Sequence, residues 1–471
     1  MMIKKRRKKH LTVGILVCAN LFPPVFAEDN PVLTQDTSRV ISLAGESPQK
    51  LSVDLKQAIE IALSDNPTIL VAGQEIALKK EVKKEALAGL LPGVELSGSY
   101  SRTLKKQTMV MDMNGESMSF QVGTDNSYSG GVTVSLPVFA PALYRSINLT
   151  GTDIELAVEK SRSSKLDMVN QVTKAYYQLL LTQDSYEVLL KSYAQAEANF
   201  EIVNERYELG SVSEYDKIRA DVQLRSLKPN VVSTRNGVNL ARLQLRILMG
   251  LSEEVEIEIE GNLKDYESEM FERGGTTAEL NLINNSDLKQ LDLNANLLEK
   301  NLRLQKANFM PVLAASYSYM YTSLNDNFAM AHYNWFPYSF VGLNLSIPLF
   351  KGSNFPKLRQ AKIQIDQLEQ TRIHTERMLY MQMSSYLDNM SASSEQVASN
   401  KEGVLQAEKG RTIAQKRYEV GKGTILELND SEVALTQAQL TYNQSIYDYL
   451  VAKADLEKVL GRDEMITGTN K

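Results

Sequence analysis

The sequence has 471 residues, 43% hydrophobic and 23% charged, with a net charge of −5 at neutral pH. No basic excess invites a nucleic acid, and the only cysteine, Cys18, leaves the rest of the chain without disulfides or thiol catalysis. Beyond the start of the chain no run reaches the roughly 18 apolar residues of a membrane helix.

Lys4, Lys5, Arg6, Arg7, Lys8 and Lys9 precede an apolar run from Leu11 to Phe22, and Val25-Phe26-Ala27 offers small residues for cleavage before Glu28. This is the layout of a secretory signal peptide, the apolar run being too short for a span. A lipidated Cys18 would follow Val17, where a small residue is wanted, so cleavage after residue 27 is the expectation. Cleavage removes six basic residues and no acidic ones, which takes the mature charge from −5 to −11. An exported chain without apolar helices crosses a membrane only by β-strands.

The remainder is written twice. Leu91-Pro92 with Ser97, Ser99 and Tyr100 recurs as Met310-Pro311 with Ser316, Ser318 and Tyr319, at an offset of 219. Val132 to Phe139 (VTVSLPVF) recurs as Leu343 to Phe350 (LNLSIPLF), and Arg206-Tyr207-Glu208-Leu209-Gly210 as Arg417-Tyr418-Glu419-Val420-Gly421, both at 211. Gly250 and Gly461 close the copies at that same offset. The change of eight falls between the members of each strand pair, so the first connecting stretch (105–127) is a longer loop than the second (322–338). Loops tolerate such insertions; elements that must end at a common level do not.

In chain order, 28–91 forms an N-terminal segment and first helix, and 92–139 the first strand pair. Its strands, Val94 to Leu104 and Tyr128 to Val138, alternate apolar with small polar residues and have the 9–11 residues of a tilted membrane strand. Residues 140–250 read as a long helical hairpin, free of proline from Leu143 to Lys228, with a kink expected at Pro229. A connecting segment (251–283) and a second first helix (284–310) follow. The second strand pair (311–350) holds Val312 to Tyr321 and Ser339 to Leu349. Tyr100, Tyr128, Tyr319, Tyr321, Trp335, Phe336 and Tyr338 gather near strand ends, as an interfacial girdle would. A second hairpin (351–461) and a tail (462–471) complete the chain. Pro141 and Pro356 stand in first turns. Leu428, Leu435, Tyr442, Tyr449 and Leu456 recur every seven residues, each followed three on by Ser431, Ala438, Ser445, Ala452 or Val459, a close-packing coiled-coil seam.

Gly210 and Gly421 end long helices, and Ser213-x-x-Asp216 and Thr424-x-x-Glu427 fit the capping box, so each copy turns tightly between antiparallel helices. Glu427 and Asp430, three apart, share a helix face. Capping explains Glu427. It does not explain Asp430, whose first-copy counterpart is Arg219.

Enzyme signals do not appear: only His332 and His374 remain after cleavage, and Gly421-Lys422-Gly423-Thr424 lacks the first glycine, the hydroxyl position and the preceding strand of a phosphate loop. No catalytic residue, cofactor or metal is expected. Four membrane strands leave open edges, each unsatisfied backbone group costing several kcal/mol in lipid, so copies of the chain must close them. Two or three copies satisfy the usual barrel sizes.

The duplicated layout, the Ser-x-Pro-x-Phe junctions at Pro137 and Pro348, the Arg-Tyr-x-x-Gly turns, and the segment from Leu55 and Ala58 to Asn66-Pro67 together resemble the TolC family of outer-membrane efflux proteins, over nearly the whole mature chain. The resemblance implies a mainly α fold with a membrane β-barrel: a homotrimer whose twelve-strand barrel sits in outer-membrane lipid and continues as a periplasmic α-helical barrel, girdled by an equatorial layer from 251–283 and parts of the chain ends. It implies a passive exit duct for a tripartite efflux or type I secretion system, with a periplasmic adaptor and an inner-membrane pump of the resistance-nodulation-division or ABC type. By resemblance, Leu209, Gly210, Ser211, Val212, Ser213, Val420, Gly421, Lys422, Gly423, Thr424 and Ile425 are the exposed adaptor-docking tip. Glu427, Asp430 and Tyr418 form the periplasmic gate, with six carboxylates around one constriction. Gly423 departs from the family, whose gate commonly has arginine there, so any latch to Tyr418 must be built differently or be absent. The rival reading is an adhesive coiled-coil protein that conducts nothing; it does not account for the duplicated strands. Drugs, metal ions and polypeptides all remain open as cargo.

Overall fold

A computed structural model describes residues 50–113, 116–271, 281–328 and 333–462. The expected signal peptide, the N-terminal segment as far as residue 49 and nearly all of the tail lie outside the described residues, as does 272–280 of the expected equatorial segment. Leu51–Glu253 and the described residues from Ile257 onward form one unit.

Its elements run β1 (Lys50–Val53), α1 (Leu55–Asp65), α2 (Pro67–Ala88), β2 (Gly93–Arg102), β3 (Gln107–Met113), β4 (Glu116–Val122), β5 (Asn126–Phe139), α3 (Pro141–Glu208), α4 (Glu214–Leu248), β6 (Glu256–Ile259), a 3-10 turn (Leu263–Tyr266), α5 (Glu267–Phe271), α6 (Ser286–Ala307), β7 (Val312–Asn325), β8 (Phe336–Ser346), α7 (Asn354–Glu419) and α8 (Ile425–Leu460). The repeat is literal: α2 and α6 have 22 residues each at the offset of 219, and α3 and α7 have 68 and 66. At 1.5 Å per residue the last two run about 100 Å. Among the described residues no helix is long and apolar enough to cross a membrane.

Four strands form one antiparallel sheet in the order β2-β5-β7-β8. The register sets Leu96 beside Val132 and Val132 beside Tyr319, and Tyr317 beside Val341. One face is therefore Val94, Leu96, Val132, Val134, Leu136, Leu313, Ala315, Tyr317, Val341, Leu343 and Leu345. The other carries hydroxyls that bond across strands, Ser99 to Ser129 at 2.7 Å and Thr133 to Ser318 at 3.0 Å. Both outer strands leave their apolar residues uncovered: Leu96 is 80% and Val341 78% exposed.

The first connecting stretch is not a plain loop. β3 and β4 pair in register from Gln107↔Val122 to Met113↔Glu116 as a separate hairpin. Lys106 anchors its base, 3.1 Å from Asp125 and 2.8 Å from Asp326. The aromatic cluster forms at the same end of the sheet, where Tyr128 lies 4.7 Å from Tyr100, 5.1 Å from Tyr333 and 6.5 Å from Trp335.

The helical part has its core midway along the hairpins, around Val172, Tyr176, Leu179, Leu180, Leu245, Val397, Ile446 and Leu450. The heptad residues Leu428, Tyr442, Tyr449 and Leu456 are buried, while Leu435 is half-buried. Helix α4 continues through Pro229. Two carboxylates hold the equatorial segment. Asp184 on α3 is buried and accepts the Leu263 amide at 3.1 Å. Glu267 accepts from Tyr442 of α8 at 2.7 Å and from Lys401 of α7 at 2.8 Å.

Each copy also closes on itself by the same device. Asn66 caps α2 through the Thr68 amide and donates its own amide to Leu248 O at 2.8 Å. Asn285 caps α6 through the Leu288 amide and donates to Val459 O at 2.8 Å. Gly250 and Gly461 lie beside these junctions in left-handed backbone, φ 73° and 66°. A Cβ there would come within 2.7 Å of Asp65 O and 2.1 Å of Asn284 O respectively, which no side chain can do.

Candidate functional site

The two helical tips are built alike. Gly210 and Gly421 turn the chain at φ 70° and 72°, and the amides of Ser211 and Lys422 return to Arg206 O and Arg417 O at 2.8 Å. This six-to-one bond closes the helix end and requires the left-handed glycine. On the far side of the first turn the capping box is complete: Ser213 accepts from the Asp216 amide, and Asp216 accepts from the Ser213 amide, both at 3.2 Å. The second box is only half made, contrary to expectation. Thr424 accepts from the Glu427 amide, but the Glu427 carboxylate turns to Arg417 at 3.4 Å.

The tips then pack on each other. Val203 and Ala220 from the first hairpin meet Ile425 and Leu428 from the second, flanked by Phe200, Val212, Ala414 and Tyr418. Ile425, expected in the exposed docking set, is 2% exposed and belongs to this core. Val212 is half-buried for the same reason. The exposed apolar residues are Leu209 at 83% and Val420 at 67%, with Gly210, Ser211, Ser213, Gly421, Lys422 and Thr424 also exposed. Gly423 is half-buried, and a Cβ there would lie 3.1 Å from Arg417 Cβ and Tyr418 N, so any larger side chain would crowd this turn.

Tyr418 stands where the hairpins meet. Its hydroxyl is buried without a hydrogen-bond partner, and the Arg206 guanidinium lies over its ring at 5.2 Å. Burial raises its pKa, with Arg206 opposing. Arg206 and Arg417 are counterparts in the repeat, yet one reaches across to the other hairpin and the other stays at home on Glu427. The repeated Arg-Tyr pair was visible in the sequence; which arginine would cross was not. Tyr207, the counterpart of Tyr418, lies under Lys217 at 4.8 Å.

Glu427 and Asp430 both fall on the exposed side of α8, opposite buried Ile425, Leu428 and Asn429. Glu427 is ion-paired; Asp430 has no ion pair or hydrogen bond among the described residues. Asp430 is therefore the unpaired member of this carboxylate pair. No cluster of three or more His, Cys, Asp or Glu able to hold a metal occurs among the described residues.

Comparison with known proteins gives one consistent answer. A family model described as "Outer membrane efflux protein" matches residues 58–251 and 278–462. The chain is 21% identical to outer membrane protein TolC of Vibrio cholerae, covering 87% of this chain and 90% of that one. It is 22% identical to TolC of Escherichia coli, covering 89% and 85%, and 22% identical to the toluene efflux pump outer membrane protein TtgC of Pseudomonas putida, covering 86% and 82%. Among solved structures, the Campylobacter jejuni CmeC outer membrane channel superposes with a TM-score of 0.69 at 16% identity, over 89% of this chain and 90% of that one. The open-state MtrE channel of Neisseria gonorrhoeae does so at 0.66 and 17%, over 86% and 88%.

Proposed function

The chain belongs to the outer membrane efflux protein family, and on that premise we propose that three copies form one passive duct, entered at the paired helical tips and leaving through the sheet. The protein is an outer-membrane channel of an efflux system, and its family is one of channels, not of enzymes. Its relatives serve efflux pumps, which implies an adaptor and an inner-membrane pump as partners.

The observation that carries closure by further copies is the four-stranded sheet with two uncovered apolar edge strands. In lipid such a sheet needs its β2 and β8 edges paired, and three copies would give twelve strands. Each copy would bring Glu427 and Asp430 to the entrance. A ring of fixed carboxylates focuses negative potential and favours cations over anions. Arg417 pairs with Glu427 at 3.4 Å and leaves Asp430 unpaired, so Asp430 is the carboxylate most free to set that field, and the Arg206–Tyr418 contact holds the two hairpins of a copy together beside it. Leu209 and Val420 give the adaptor its apolar footholds. The energy for transport comes from the inner-membrane partner.

Native mass spectrometry of the detergent-extracted protein tests the assembly. A complex of three chains is expected; a folded monomer or an open-ended series of masses would overturn the proposal.

A further inference from the structure

Just below the sheet, helices α3 and α6 enclose a cleft of about 220 Å³ lined by Arg145, Asn148, Lys300 and Arg303. Three cations converge there against one carboxylate, Glu299, which lies 3.5 Å from Arg303. Arg145 has no partner among the described residues. Lys300 is held in place by bonds to Asn148 O (3.0 Å) and to the Thr152 hydroxyl, which leaves it charged, without a carboxylate, and with a third donor to give.

The cleft has a defined level and a defined side. Arg145 lies four residues into α3, which begins two residues after β5 ends, and Arg303 lies four residues before the end of α6, which leads into β7. At 1.5 Å per residue both sit about 6 Å from the helix ends nearest the sheet. Tyr144 shares a helix face with Asn148. Its ring packs 6.4 Å from Phe139, and Phe139 is paired with Leu313 of the apolar sheet face. The cleft thus opens beneath the face that meets hydrocarbon, with an aromatic ring between the two.

We propose that this cleft binds the phosphate of an acidic phospholipid headgroup at the periplasmic edge of the outer membrane. The inference rests on the reading that the sheet is the part of the chain in lipid. Two guanidiniums offer paired donors that match phosphate oxygens, and the ammonium adds a point charge. A ring at the interface with cations beside it is the arrangement that anchors membrane proteins at headgroup level. The phosphate fixes this junction, where strands become helices.

The test is native mass spectrometry of the purified complex titrated with phosphatidylglycerol, phosphatidylcholine or inorganic phosphate. Wild type is expected to retain phosphatidylglycerol over phosphatidylcholine. R145Q/R303Q, which leaves the Lys300 bonds intact, should bind it roughly fivefold more weakly for each arginine removed, with assembly and conductance unchanged. If the double variant fails to assemble, R145E is titrated with the same expected loss. Equal retention by variant and wild type would overturn the proposal. Displacement of the lipid by inorganic phosphate would overturn it too, by making the cleft a site for soluble anions. Absence of conductance in wild type would count against the duct while leaving the lipid titration readable.

Discussion

Asp184 and Glu267 hold the same equatorial segment but titrate in opposite senses. Burial raises the Asp184 carboxyl to about 6, with the Leu263 amide opposing. An acid whose folded pKa is raised costs stability once ionised, so the cost grows as pH rises through the ordinary carboxylate range to about 6 and is absent in acid. Asp184→Asn keeps the acceptor and removes the charge. It should melt above wild type at pH 8 and close to it at pH 4, as followed by circular dichroism. Burial would raise Glu267 as well, but the bonds from Lys401 and Tyr442 outweigh it and hold the group below its usual value. That contribution is present at neutral pH and lost as pH falls through the folded pKa, so Glu267→Gln should melt below wild type at pH 8, with the gap closing in acid. None of this was legible in the sequence, where both residues look like solvated acids on helix surfaces. Ile425 was misread for a related reason. Its place in the turn suggested exposure, and only the meeting of two hairpins far apart in the chain buries it.

At the scale of elements the duplication was plain, because proline spacing and the helix-ending glycines fix where long helices begin and stop. The β3–β4 hairpin was not read, although Met111 and Met113 before Asn114-Gly115, and Met118, Phe120 and Val122 after it, alternate with polar residues, a strong hairpin signal. Its absence from the second copy made it look like insertion into a loop. The duplicated asparagine junctions follow from the same repetition and can be tested as a pair. Losing the cap and leaving the Leu248 or Val459 carbonyl unpaired should cost about 1–3 kcal/mol. Asn66→Ala and Asn285→Ala should therefore lower the thermal midpoint by similar amounts. A large loss at one site with none at the other would show that the two junctions are not equivalent.

At the scale of the whole molecule, each level constrains the next. Apolar alternation makes a sheet whose edges one chain cannot close, the long helices lead away from it, and on the proposed reading the paired tips bring the exposed Glu427 and Asp430 of each chain to the entrance. On the same reading the barrel and, at its rim, the proposed lipid cleft hold the membrane end, while Asp184 and Glu267 fasten the segment after α4 to the helices. The most direct test is single-channel conductance in a planar bilayer, wild type against Asp430→Ala. Wild type should show a small cation-selective conductance, and the variant a larger or less selective one. A conducting pore indifferent to Asp430→Ala would contradict the placement of the entrance. No conductance from a folded trimer, even with Glu427 and Asp430 both removed, would contradict the duct itself.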